Sequence, residues 1–288
     1  MKYTLIKELI NEAEKNNIRI SELVKEDQAK ELNLSIDAVY KKMKTAYDVM
    51  TKSIETGLKD KCKLKIEQED GAKIYKKYVD DGKSIFGSKL GQAVAMALAV
   101  SEVNASMGKI VASPTAGSCG IIPAAIVSIK NIYNISEEKV IDSLFTSAAI
   151  GMIISNTMNL AGASGGCQAE CGVAQAMAAA AIVDMLDGSN EQIANAVAIS
   201  LKNIEGLVCD PVAGLVECPC IKRNASGVMN AILAADMALA GIVSVIPVDE
   251  VIKAVKQIGD IMDDRLKETA MGGLATTETG KSMQIKNS

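Results

Sequence analysis

A chain of 288 residues with 31 basic and 35 acidic side chains has a net charge of −4 and no basic block, so it carries no electrostatic footprint for nucleic acid or an anionic membrane. Apolar residues make up 49% of the sequence and aromatics only 3%; the core must therefore be filled by Ala, Val, Ile, Leu and Met, which favours close-packed helices, and the length allows one large core. There is no histidine, which excludes Ser-His-Asp and Cys-His relays, His-ligated zinc and any imidazole base from within the chain.

The opening MKYTLIKELINEAEKNN becomes charged before an apolar stretch can form; it does not read as a secretory signal, and a cytoplasmic protein is expected. Residues 1–60 read as a helical N-terminal segment in which Ser35 caps a run whose Ala38, Met43, Ala46, Met50 and Ile54 recur at helical spacing. In KCKLKIEQEDGAK (61–73) the alternation Lys63, Leu64, Lys65, Ile66 offers a short strand. Elsewhere the chain is expected to be all-α, a bundle of long Ala-rich buried helices. From residue 88 onward Ala-rich runs alternate with Gly, Ser and Pro clusters. Ser136 before Glu137 and Glu138 marks one helix start, and Ser189 with Gln192 forms a capping box at another. These runs are apolar on nearly all sides, as central helices are. AILAADMALAGIVSVIPV (231–248) contains Asp236 and Pro247 and reads as a buried helix, not a membrane span. The clusters 111–123, 161–172 and 206–224 are expected to be loops at helix ends, where sites are built. The last fifteen residues read as a polar tail.

Neither GKS triplet has the earlier glycine of a P-loop, since Lys77 and Ala275 stand there. What remains as chemistry is thiol. Of seven cysteines, Cys119, Cys167, Cys171, Cys209, Cys218 and Cys220 fall in the three clusters and Cys62 stands apart. An odd number without an export signal argues against a disulfide framework. Soft thiolates select zinc or iron–sulfur clusters, and zinc would need an all-Cys or Cys-carboxylate site without any CxxC knuckle; plain buried thiols are the remaining reading, favoured for Cys62.

SEVNASMGKIVASPTAGSCGIIPA, SGGCQAECGVAQAMAAAA, GLVCDPVAGLVECPCIKRNA and LKETAMGGLATTETGKSM together resemble the alpha subunits of two-chain, iron–sulfur-dependent L-serine dehydratases (L-serine ammonia-lyases), over residues 70–283. The resemblance implies that residues 61–288 form an iron–sulfur catalytic domain. It also implies conversion of L-serine to pyruvate and ammonia with a [4Fe–4S] cluster on Cys167, Cys209 and Cys220, the fourth iron being open to substrate. Cys119, Cys171 and Cys218 are then extra thiols. A related lyase acting on threonine or cysteine, or a non-enzymatic iron–sulfur or zinc protein, is the alternative. The sequence ends QIKNS, without the terminal cysteine that caps the open iron in single-chain relatives. The beta subunit is the implied partner and the implied source of the histidine base. Lys222 and Arg223, directly after Cys220, are the candidate catalytic cations, either pairing with the substrate carboxylate or lying as surface charges at a helix start. Ser113, Thr115 and Ser118, with Gly117 permitting close backbone approach, are the candidate substrate clamp.

Overall fold

The computed structural model describes residues 2–287, and among these it is all-helical. In chain order the helices are α1 (Ile6–Lys15), α2 (Ile20–Leu32), α3 (Ile36–Lys59), α4 (Gly71–Asp80), α5 (Gly87–Ala105), α6 (Ile121–Tyr133), α7 (Glu137–Thr157), α8 (Gly162–Gly165), α9 (Cys167–Met185), α10 (Asn190–Lys202), α11 (Cys220–Leu239), α12 (Val248–Ile261) and α13 (Glu278–Asn287). The expected caps are formed: Ser35 Oγ accepts from Ala38 N–H at 3.1 Å, Ser136 Oγ from Lys139 N–H at 3.3 Å, and Ser189 and Gln192 exchange bonds at 3.1 and 2.8 Å.

Helix α9 is the axis of the bundle. It packs on α7, α10, α11 and α6, and every residue of it except Glu170 is buried. Alanine makes this possible, because its small side chain lets helix backbones approach closely without rotamer entropy. One buried cluster runs from Tyr3 in the N-terminal segment to Val255 in α12. Polar pegs tie the N-terminal helices to it: Arg19 reaches Asp184 at the end of α9, and Asp249 of α12 accepts the N–H groups of Ile6 and Lys7 at the start of α1, at 2.8 and 3.1 Å. Helix α7 is long and apolar enough to cross a membrane by length and composition, and 67% of its most apolar window is buried inside the protein, as suits a core helix.

Three expectations are corrected. No strand forms at 63–66 among the described residues, because the N–H groups of Lys65, Ile66 and Glu67 are all taken by the Glu217 carboxylate, at 2.8–3.1 Å, and none is left for a ladder. The run 231–248 is not one helix: α11 stops at Leu239, Gly241 adopts φ +89°, and Ile242, Val243, Val245 and Ile246 are exposed before Pro247 opens α12. The clusters 161–172 and 206–224 are not loops throughout, since α8 and the start of α9 lie in the first and the start of α11 in the second; the polar C-terminal stretch carries a 3-10 turn at Gly273–Thr276 that leads into α13.

Candidate active site

Two of the cysteines stand at helix starts inside clusters expected to be loops throughout. Cys167 is the first residue of α9 and Cys220 the first of α11. Each therefore lies at the positive end of a helix dipole, which favours a thiolate. The turn into α9 requires glycine, as Gly166 has φ +77° and a Cβ there would lie 2.8 Å from the Leu207 carbonyl. Cys209 lies in the extended stretch between α10 and α11. Its N–H donates to Leu266 O at 2.8 Å and its carbonyl accepts from Glu268 N–H at 2.7 Å, an isolated parallel bridge to the C-terminal segment. All three thiols are buried, at 2, 3 and 8% exposure for Cys167, Cys209 and Cys220, and all are free.

Arg223, one turn into α11, organises their surroundings. Its guanidinium donates to Val208 O at 2.7 Å and Asp210 Oδ1 at 2.9 Å, flanking Cys209. Burial opposes its charge, but Cys167 and Asp210 more than compensate and its pKa is raised. Asp210 in turn accepts Leu274 N–H on its other oxygen at 2.8 Å, so one buried carboxylate joins α11, the cysteine loop and the C-terminal segment. Cys167 is lowered, first by the hydrogen bond from Cys171 and also by Arg223, against the effect of burial; Cys171, the donor, is raised. Cys209 and Cys220 are raised by burial first and then by Cys167 and Glu170.

The loop expected to clamp substrate lies against the same helix end. Thr115 Oγ1 donates to Glu170 Oε1 at 2.5 Å and is 3.1 Å from Ser118 Oγ. Gly117 lets the loop backbone close on Glu170, because a Cβ there would fall 2.5 Å from Glu170 Oε1 and push the carboxylate aside. Ser113 is buried, its N–H bonded to Thr115 O at 3.2 Å within the loop. Lys222 turns away from Arg223 and pairs with Glu67. Burial pushes Cys119 up to about 12, and Cys218 is raised by burial and by Glu67.

Several residues of the site went unassigned by sequence reasoning. Glu170 joins Cys167 and Cys171 in a group whose ligand atoms all lie within 4.8 Å of one another, close enough to share one metal ion. The signal for it was a carboxylate between two cysteines at the start of an Ala-rich helix. Asn224 is buried and joins the two loops: its Nδ2 donates to Gly117 O at 2.7 Å and Cys220 O at 2.9 Å, while Oδ1 accepts from Gly120 N–H at 2.9 Å. Glu217 holds the 65–67 backbone beside Cys218. Nothing in the sequence pattern marks these long-range partners.

Residues 15–275 match the model of the family described as serine dehydratase alpha chain. The L-serine dehydratase alpha chain of Peptoniphilus asaccharolyticus is 46% identical over 279 residues, covering 96% of each chain. A probable L-serine dehydratase alpha chain of Bacillus subtilis is 45% identical over 282 residues, covering 98% of this chain and 94% of that one. An L-serine dehydratase of Streptomyces coelicolor is 40% identical over 213 residues, which cover 71% of this chain and 47% of that longer protein. The chain belongs to the serine dehydratase alpha chain family.

Proposed function

We propose that this chain is the catalytic alpha subunit of an L-serine ammonia-lyase, which eliminates water from L-serine and releases pyruvate and ammonia. The observation that carries the reading is that cysteines from three separate elements are buried around one arginine. The near full-length likeness to alpha chains named for the same reaction supports it.

The donor set suits an iron–sulfur cluster. Cys167, Cys209 and Cys220 come from different elements, are all buried, and lie close enough to feel one another's charge, which suits ligands drawn from separate segments to one cluster. Two stand at helix N-termini, and Gly162 leaves room beside the third, since a Cβ there would lie 2.6 Å from Cys209 Sγ. The compact trio of Cys167, Glu170 and Cys171 on one helical turn would suit a single ion instead. A [4Fe–4S] cluster on the three cysteines would supply a Lewis-acidic corner for the departing hydroxyl.

The chain's own residues do the rest. Ser118 can donate to Thr115, whose proton is committed to Glu170, so the clamp loop presents an oriented set of hydroxyls. Arg223 is the better supported of the two cations as partner of the substrate carboxylate, since two of its five donors are anchored and the guanidinium is held at the cysteines. Lys222, tied to Glu67, acts at the rim by holding the Cys220 turn in place. The Cα proton needs a base, which we assign to a beta subunit, as no imidazole exists in this sequence. The test is pyruvate formation from L-serine by anaerobically reconstituted chain with and without its beta subunit. Pyruvate only from the complex supports the reading, and equal turnover by the alpha chain alone would remove the partner's base.

A further inference from the structure

Helix α9 is buried at every side chain but one, the half-buried Glu170, which stands at the cysteine site. One carboxylate oxygen is fixed, as Oε1 accepts from Thr115 Oγ1. Oε2 has no hydrogen-bond partner among the described residues and keeps some access to solvent. Glycines flank the carboxylate. A Cβ on Gly117 would lie 2.5 Å from Oε1 and 2.9 Å from Oε2, while one on Gly162 would lie 3.4 Å from Oε2 and 2.6 Å from Cys209 Sγ. The site thus holds a carboxylate with one anchored and one available oxygen, beside the thiol of Cys209, with side-chain bulk absent on both flanks.

A zwitterionic amino acid brought to the cysteines needs a counter-charge for each end. The positive features, Arg223 and the starts of α9 and α11, face thiolates and the substrate carboxylate. Of the carboxylates near the cysteines, Asp210 is spent on Arg223 and the Leu274 N–H, which leaves Glu170 and Glu268 for the ammonium group. Glu268 is exposed to solvent, whereas Glu170 is largely withdrawn from it and oriented by Thr115. An ion pair is stronger where water is partly excluded and the acceptor is already oriented. We infer that Glu170 binds the α-ammonium group of the substrate and so selects α-amino acids over hydroxy acids that lack it. The inference rests on the serine-eliminating reading of the same site. It assigns Glu170 to substrate and not to metal.

The experiment uses the anaerobically loaded alpha–beta complex with wild-type chain, Glu170→Gln and Thr115→Val. KM and kcat for L-serine are measured with the inhibition constant of 3-hydroxypropanoate, which keeps the carboxylate and hydroxyl but has no amine, and iron is counted per chain. For Glu170→Gln the expected result is a KM raised at least ~30-fold, the loss of a desolvated charge pair, with iron content and the 3-hydroxypropanoate constant unchanged within about threefold. Thr115→Val, which frees Glu170 without removing its charge, should raise KM by a smaller factor. An unchanged serine KM in Glu170→Gln overturns the inference. So does equal weakening of both compounds, which marks general damage, and so does loss of iron, which makes Glu170 a ligand. Absence of pyruvate from the wild-type complex refutes the underlying activity, and the inference with it.

Discussion

Replacing Asn224 by alanine cuts the link between the clamp loop and the cysteine loop. In the native chain the side chain is 1% exposed and makes three hydrogen bonds, to Gly117 O, Cys220 O and Gly120 N–H. The substitution leaves the Gly120 N–H and the Gly117 carbonyl without partners in a buried place, at ~1–3 kcal/mol each. Cys220 O loses least, because it keeps its place in the backbone ladder of α11. Alanine returns up to ~0.7 kcal/mol of helix propensity, so the net loss should be about 1–6 kcal/mol. Urea unfolding followed by helical circular dichroism would show the midpoint falling by ~1–2 M at unchanged slope. Asn224→Asp keeps the acceptor for Gly120 but turns two donations into repulsion, and should be no more stable. A loss below ~1 kcal/mol in the alanine variant would refute the idea that this residue holds the loops together.

Glu102 offers a pH test. It is buried in α5 with Oε2 unpartnered, and burial raises its pKa to about 7 against the opposing hydrogen bond from Ala72 N–H. Because the folded chain holds this proton over a range where the unfolded chain has lost it, stability should fall as pH rises from the unfolded value toward 7 and level off above, by up to ~3 kcal/mol. Glu102→Gln should flatten that slope in unfolding curves taken at several pH values, and an unchanged slope would count against the assignment. Gly162→Ala, whose Cβ would collide with Cys209 Sγ, should fold yet fail to retain iron under anaerobic reconstitution. Asp210→Asn should release the C-terminal segment from the cysteine loop and leave Arg223 uncompensated, costing ~3–5 kcal/mol; limited proteolysis within 263–277 would report it. Glu217→Gln, by loosening the 65–67 backbone from the Cys218–Cys220 turn, should shorten the lifetime of the visible absorption in air while thermal unfolding of the helices changes little.

The helical class was legible because local signals sufficed for it. Few aromatics, Ala-rich runs and serine caps at Ser35, Ser136 and Ser189 act within a turn or two of chain. The strand expected at 63–66 failed for the opposite reason, since its fate is set by Glu217, some 150 residues away in sequence. The cysteine clusters were visible as departures from Ala-rich texture, but the starts of α9 and α11 were not, because Cys167 and Cys220 sit on helix ends whose caps are backbone alone. The parts of the site left unread, Glu170, Asp210 and Asn224, act through partners that only the fold brings near. Lys222 and Arg223 are adjacent in sequence yet face different partners, Glu67 and Asp210, a separation that follows from the 100° turn per residue of a helix.

The proposed cluster stands or falls with the thiols assigned to hold it. Single Cys→Ser variants at 167, 209 and 220, and at 119, 171 and 218, would each be purified anaerobically with the beta subunit, assayed for iron, inorganic sulfide and pyruvate release from L-serine. The prediction is ~4 irons and ~4 sulfides per chain with turnover in wild type and in the second group, and loss of both in the first. A colourless wild-type protein retaining zinc, or full iron and turnover in any variant of the first group, would contradict it.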